Sequence, residues 1–246
     1  MDLGISGKRA LVFGSSSGIG KGVAMSLIKE GVSTAISSRN DAHLQKVKNE
    51  IKAQATISTD FQKPGDSRRA VESANALLGG GPDILVINSG GPKAGLFTTV
   101  PVEDWQTSFQ LLWLSAIDAI QTALPRMKSQ KWGRIVLITS TAARQPIDGL
   151  TVSTGLRSGL LGLVKSISRE VASSGITVNS VLPGYTRTER LLELNLPEEK
   201  ILEEVPTRRL ADPGEMGDLV TFLCSERASF ITGQAIVCDG GLVRGI

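Results

Sequence analysis

The chain has 246 residues, 27 Lys and Arg against 24 Asp and Glu for a net charge of +3, and 41% hydrophobic residues. A chain of this length buries a sizeable core without disulfides or a metal staple, and 21% charged residues exclude a disordered polyelectrolyte. The basic excess is too slight and too scattered for nucleic acid, and a single tyrosine among 4% aromatics makes no stacking platform for single strands. The two cysteines, Cys224 and Cys238, form no framework and read as small apolar residues of a reducing compartment. The start, MDLGISGKRALVFG, has no basic stretch followed by a long apolar one, and no run approaches the roughly 18 apolar residues of a membrane span. The expectation is one cytoplasmic domain over 1–246, with no metal site, no membrane and no nucleic-acid partner.

In chain order, a β-branched strand at 10–13 runs into GSSSGIGKG, which opens a helix over 18–30. A strand at 33–37 leads to a helix over 41–53 with Asp41 as its cap, and a strand at 56–59 to a helix over 66–78. ILVIN at 84–88 precedes a long helix over 102–128, and the strand at 134–139 precedes a helix over 150–174. A strand at 177–182, a helix over 213–225 opened by DPGE, and a strand at 235–237 complete the chain. The near-continuous apolar runs suit strands covered on both faces. Strand and helix alternating in this way predict an α/β, doubly wound Rossmann fold: a seven-stranded, mainly parallel sheet with right-handed crossovers. Residues 186–210 are charged, broken by Pro197 and Pro206, and read as a helical insertion or lid.

The first strand-to-helix turn carries Gly14, Ser16, Ser17, Gly18, Ile19 and Gly20 in the spacing G-x-x-x-G-x-G. Glycines there permit a tight turn and let backbone N–H groups approach a pyrophosphate at a helix N-terminus. A ligand-free Gly/Ser connection is the plain alternative; the position in a βαβ unit favours a dinucleotide. About 20 residues on, where a carboxylate would accept from a ribose 2′-hydroxyl, stand Ser38 and Arg39. Arginine pairs with a 2′-phosphate through charge-assisted bonds, so the pattern points to NADP rather than NAD. Asp60 either accepts from an adenine amino group or caps a turn.

The chain resembles the short-chain dehydrogenase/reductase family, and its 3-oxoacyl-carrier-protein reductase branch in particular. The glycine loop carries the likeness, with Phe13 where the family has Thr. So do INSGG at 87–91, which places Asn88 and Gly90, and LITSTAA at 137–143, which places Ser140. NSVLPGYTRT at 179–188 supplies Pro183, Gly184, Thr186 and Thr188 beside the expected nicotinamide, and residues 209–241 follow the family's C-terminal pattern. The resemblance implies hydride transfer between a nicotinamide and a small carbonyl or acyl substrate, in a homo-oligomer, expected as a tetramer.

The same resemblance locates a departure. The family's tyrosine lies thirteen residues after its serine and its lysine four further on; here those places hold Ser153 and Arg157. The family's asparagine, counted from Trp105, falls on Leu112. A serine hydroxyl is a poor proton donor without a base, and an arginine stays cationic, able to hold a ribose or a developing oxyanion but not to relay a proton. Ser140, Ser153 and Arg157 are the candidate catalytic residues of an NADP-dependent oxidoreductase with an altered proton path. The rival reading is a catalytically weak or silent NADP-binding sensor or scaffold. Tyr185 reads as packing, Lys93 as a solvated loop residue, His43 as a surface residue, and Arg144 as either an anion contact or exposed.

Overall fold

The computed structural model describes residues 1–192 and 197–245. Among them, β1 (Arg9–Phe13), β2 (Ser33–Ser38), β3 (Ala55–Ser58), β4 (Ile84–Asn88), β5 (Gly133–Ile138), β6 (Ile176–Pro183) and β7 (Ala235–Cys238) form one sheet. Its order is β3-β2-β1-β4-β5-β6-β7 and every pairing is parallel. The described helices are α1 (Gly18–Lys29), α2 (Asp41–Ile51), α3 (Asp66–Leu77), α4 (Val102–Phe109), α5 (Ser115–Ser129), α6 (Thr151–Val171), α7 (Glu189–Leu192), α8 (Glu198–Glu204) and α9 (Pro213–Leu223). This is the doubly wound α/β fold expected from the alternation, with the sheet wholly parallel.

Successive strand residues point to opposite faces, and both faces are apolar. Leu11, Phe13, Leu85, Ile87, Ile135 and Leu137 enter one buried cluster, under Ala70 and Ala74 of α3, Ala119 and Ala123 of α5, and Leu160 and Val164 of α6. Ala10, Val12, Ile84, Val86, Val136 and Ile138 enter the other, under Val23 and Leu27 of α1, Leu44 and Val47 of α2, and Met216 and Val220 of α9. At roughly 1.5–3 kcal/mol per fully buried large apolar side chain, these two layers fix the sheet, and the sheet fixes where its carboxyl-end loops meet.

Local details correct the sequence reading. The helix expected over 102–128 is α4, one π turn at Gln110–Leu114, and α5. Asp41 is not the cap of α2: the extended Asn40 is, its side chain accepting from the His43 backbone N–H at 3.0 Å, so Asp41 becomes the first helical residue. Both side chains can cap, and the backbone angle at the strand exit decides between them. The DPGE expectation is met, Asp212 and Glu215 forming a reciprocal cap on α9. The segment expected as an insertion over 186–210 carries α7 and α8; its positions 193–196 lie outside the described residues. Cys224 is buried, its thiol pushed up to about 12 by desolvation, whereas Cys238 is only half-buried.

Candidate active site

In a doubly wound sheet the crevice opens where the strand order reverses, here between β1 and β4. The loops at the carboxyl ends of the strands enclose a cleft of about 830 Å³ that runs from Arg39 at one end to Tyr185 and Arg190 at the other.

Gly14, Ser16, Ser17, Gly18 and Ile19 line its floor. Gly14 has φ +59°, and a Cβ there would collide with the carbonyl oxygen of Asn88. The Asn88 Nδ2 donates to the Gly14 carbonyl at 2.9 Å, tying the β1 turn to the end of β4. Gly20 is the exception among the glycines: it is buried, does not line the cleft, and a Cβ on it would strike the Gly14 carbonyl. It lets α1 start close to β1.

At the end of β2, Ser38 and Arg39 line the cleft, Arg39 exposed and the Ser38 hydroxyl buried without a hydrogen-bond partner. Such a group costs free energy until something pairs with it. Asp60 lines the same end, and its carboxylate accepts from the Gln62 backbone N–H at 3.0 Å, the turn-capping role.

The other end brings together Asn88, Gly90, Ser140, Ser153, Arg157, Pro183, Gly184, Thr186 and Thr188 from β4, β5, α6 and β6. The Ser140 hydroxyl caps a short 3₁₀ turn, accepting from the Ala142 backbone N–H at 3.1 Å. Ser153 is buried at the cleft wall. Arg157, only 5% exposed, donates from Nη1 to the carbonyls of Thr139 at 2.6 Å and Ile138 at 3.2 Å, and from Nη2 to Gly90 at 3.3 Å. Three of the five N–H donors of a guanidinium are thus fixed to backbone, and its Nε has no partner. Arg157 clips α6 to the ends of β4 and β5. Burial, and then the nearby Arg190, push its pKa down to about 10.

Leu112 is 2% exposed in the apolar core, and the π turn presents Leu111 to the cleft in its place. Tyr185 lines the cleft but packs against the Ile201, Val205 and Leu210 cluster; burial, then the Glu204 carboxylate, hold its phenol above the ordinary range. A raised pKa makes it a weaker proton donor. Lys93 is exposed and pairs with Asp104 at 3.7 Å, Arg144 is exposed away from the cleft, and His43 lies on the surface. Sequence reasoning missed Arg190. It reaches the cleft from α7 and donates from Nη2 to the Pro92 carbonyl at 2.7 Å, but in the run TRTERLL it is one charge among several. Among the described residues no group of His, Cys, Asp or Glu could hold a metal ion, and no helix is long and apolar enough to cross a membrane.

Fold and cleft together define a dinucleotide-type α/β protein with its site at the carboxyl edge of the sheet. A family model described as "Enoyl-(Acyl carrier protein) reductase" matches residues 14–243, and the chain belongs to the short-chain dehydrogenase/reductase family. The 3-oxoacyl-[acyl-carrier-protein] reductase FabG of Aquifex aeolicus is 32% identical, over 98% of this chain and all of that relative. The crystal structure of YwfH, an NADPH-dependent reductase involved in bacilysin biosynthesis, superposes with a TM-score of 0.93 at 30% identity, covering 98% of this chain and 100% of that one. The L-sorbose reductase of Gluconobacter frateurii, in complex with NADPH and L-sorbose, gives 0.92 at 28% identity with both chains fully covered.

Proposed function

We propose that the protein is an NADP(H)-dependent oxidoreductase that interconverts a carbonyl and an alcohol on a 3-oxoacyl-carrier-protein-reductase-like scaffold, with an altered proton path. One observation carries the reading: the glycine turn, the Ser38–Arg39 pair and Ser140 line a single cleft. Relatives named as reductases, and a structural neighbour bound to NADPH, support it.

The residues present fit the cofactor. The Gly14 and Gly18 turn leaves backbone N–H groups at the start of α1 for a pyrophosphate. The orphaned Ser38 hydroxyl and the exposed Arg39 guanidinium suit a ribose 2′-phosphate. Asn88, Gly90, Pro183, Gly184, Thr186 and Thr188 line the half where the nicotinamide end belongs. When bound, the nicotinamide supplies the hydride. Ser140 orients the substrate oxygen, and Ser153, which lines the same cleft, is a hydrogen-bond donor without the acidity of a phenol. Arg157 lines the same cleft and its charge favours negative charge on that oxygen, while its bonds to Ile138, Thr139 and Gly90 hold the serine strand in place. Neither Ser153 nor Arg157 relays a proton, so the alkoxide left by hydride addition takes its proton from water, leaving hydroxide, and turnover is slow by the roughly 10²–10⁴ that a general acid contributes. The described helices α7 and α8 act as the lid, the substrate is a small carbonyl or acyl compound, and the protein works as a cytoplasmic homotetramer.

The second reading, an NADP-binding sensor or scaffold, is favoured by the same fixed Arg157 and by the replacement of the family tyrosine with Ser153. Fluorescence titration with NADPH and NADH, beside a turnover assay on a carbonyl panel, separates the two. Binding with turnover supports the oxidoreductase, binding without it the sensor, and no binding of either nucleotide removes both.

A further inference from the structure

The chain turns sharply after β7. The Asp239 carboxylate accepts from the backbone N–H groups of Gly241 at 2.9 Å and Val243 at 2.7 Å. Gly240 and Gly241, at φ +68° and +89°, supply the left-handed backbone this turn needs. They also let it lie close to the segment after α8: a Cβ on Gly240 would collide with the Thr207 hydroxyl, and one on Gly241 would stand 3.2 Å from Pro206 Cγ. The Gly240 carbonyl accepts from the Thr207 backbone N–H at 3.2 Å. At the far end of the turn, the Arg244 backbone N–H donates to the side-chain oxygen of Gln145 at 3.0 Å. Gln145 belongs to the loop that Ser140 begins, its own N–H donating to the Thr141 carbonyl at 3.0 Å. Residues 239–244 are thus a strap tied to Thr207 on one side and to the serine loop on the other.

Between these two ties, Leu242 lines the cleft. Like Tyr185 and Leu191, it packs on the cluster of Ile201, Val205 and Leu210. Ile147 and Leu150, from the loop before α6, line the same cleft. All five lining side chains are half-buried, whereas Asp148 and Glu189, which also line the cleft, are exposed. Half-buried apolar side chains release water when an apolar group lies on them, and they offer no partner to a hydroxyl or a charge. In the oxidoreductase reading Ser140 holds the carbonyl oxygen, so a group that reaches Leu242 is a substituent of that carbonyl. A wall tied at both ends does not retreat before a longer one.

We propose that Leu242 is a specificity-determining residue, that the substrate is a carbonyl compound whose substituent on this side is apolar and short, and that Asp239 is the positioning residue that seats Leu242 in the cleft wall. This deepens the oxidoreductase reading and rests on it for turnover. Neither residue takes part in bond making or breaking.

The test uses 2-butanone, 2-hexanone and 2-octanone, with 5-hydroxy-2-pentanone as the polar isostere of 2-hexanone, in NADPH-linked assays of the wild type, Leu242→Ala, Asp239→Ala and Asp239→Asn. For the wild type, 2-hexanone is expected to exceed its isostere about tenfold in kcat/KM, and 2-octanone to fall below 2-hexanone. Leu242→Ala is expected to raise the octanone-to-butanone ratio about tenfold, mainly through KM. Asp239→Ala should move the ratio the same way, and Asp239→Asn, which keeps one acceptor oxygen, should move it less. A preference for the hydroxyketone, a wild-type kcat/KM that rises through 2-octanone, or a ratio unmoved in Leu242→Ala would overturn the proposal while leaving the oxidoreductase reading standing. Saturation-transfer NMR of the same ketones, with and without NADP⁺, reads binding apart from turnover. The expected result is transfer to 2-hexanone in the wild type and a gain for 2-octanone in Leu242→Ala. No transfer to any ketone, or one pattern shared by the wild type and Leu242→Ala, overturns the wall even if turnover fails throughout.

Discussion

Arg39 is the residue on which cofactor choice turns. It is exposed at the end of β2 beside the unpartnered Ser38 hydroxyl, and no acid neighbours it along the strand exit Ser37 to Asn40. A charge-assisted bond to phosphate is worth about 1.5–3 kcal/mol. Arg39→Asp is therefore expected to weaken NADPH about 10–100-fold and to spare or improve NADH in paired fluorescence titrations; equal affinities of the intact protein for both nucleotides would sink the idea. Arg157 presents the opposite case, a residue whose expected ligand contacts are largely replaced by backbone ones. Arg157→Leu strands the carbonyls of Thr139, Ile138 and Gly90, and is expected to cost about 2–4 kcal/mol in urea unfolding. For the same reason Ser153→Tyr alone adds little ketone turnover: a phenol needs a lysine beside it, and Arg157→Lys sacrifices the clip that supports Ser140. The assay to run is ketone reduction by the single and double variants, each with its unfolding curve.

At the scale of the element, the π turn and the cap of α9 make separate predictions. At the π turn Leu112 packs in the core and Leu111 lines the cleft. Leu112→Asn removes a buried leucine and buries an amide, with an expected loss of about 2–5 kcal/mol and no gain in proton transfer; a stable variant with raised turnover contradicts this. In α9, Glu215 accepts from the Asp212 N–H and pairs with Arg209 at 2.6 Å, and the pair with Arg209 first, then the backbone bond, hold its pKa down to about 2. A carboxyl depressed in the folded state contributes stability that is present above its unfolded value, near 4.5, and lost as pH falls toward 2. Because both side chains are largely exposed, solvent screening limits the effect to about 1 kcal/mol. Glu215→Ala should be less stable than the wild type by that amount at pH 7, and the gap should narrow steadily below pH about 4.

Across the whole molecule, the outer face of α4, the π turn and α6 carries more apolar surface than one sheet layer uses. Phe109 and Leu114 are each 41% exposed, and Phe109 stacks on Trp113 at 5.7 Å, whose Nε1 donates to the Leu156 carbonyl at 2.9 Å. Phe97 and Phe230 are exposed elsewhere, at 74% and 99%. Surface of this kind is a liability unless it is covered, and closed symmetric assembly is the common way to cover it. Light scattering at micromolar concentration is expected to give a multiple of the 26.0 kDa chain mass, and Phe109→Glu with Leu114→Glu to reduce it. A single species at the chain mass would defeat the homotetramer.

The sequence by itself determined what depends on near neighbours. Short β-branched runs separated by helical stretches set the order of strands and helices, the G-x-x-x-G-x-G spacing set the turn at the start of α1, and the DPGE run set the cap of α9. Each involves residues a few positions apart, where local sterics decide the outcome. The tertiary structure alone decided whatever joins distant segments. Arg157 meets Thr139 and Gly90 across 18 and 67 residues, and Arg190 meets Pro92 across 98. A guanidinium takes its role from the acceptors that surround it, and those are brought together only when the parallel sheet assembles and its carboxyl-end loops converge on one cleft.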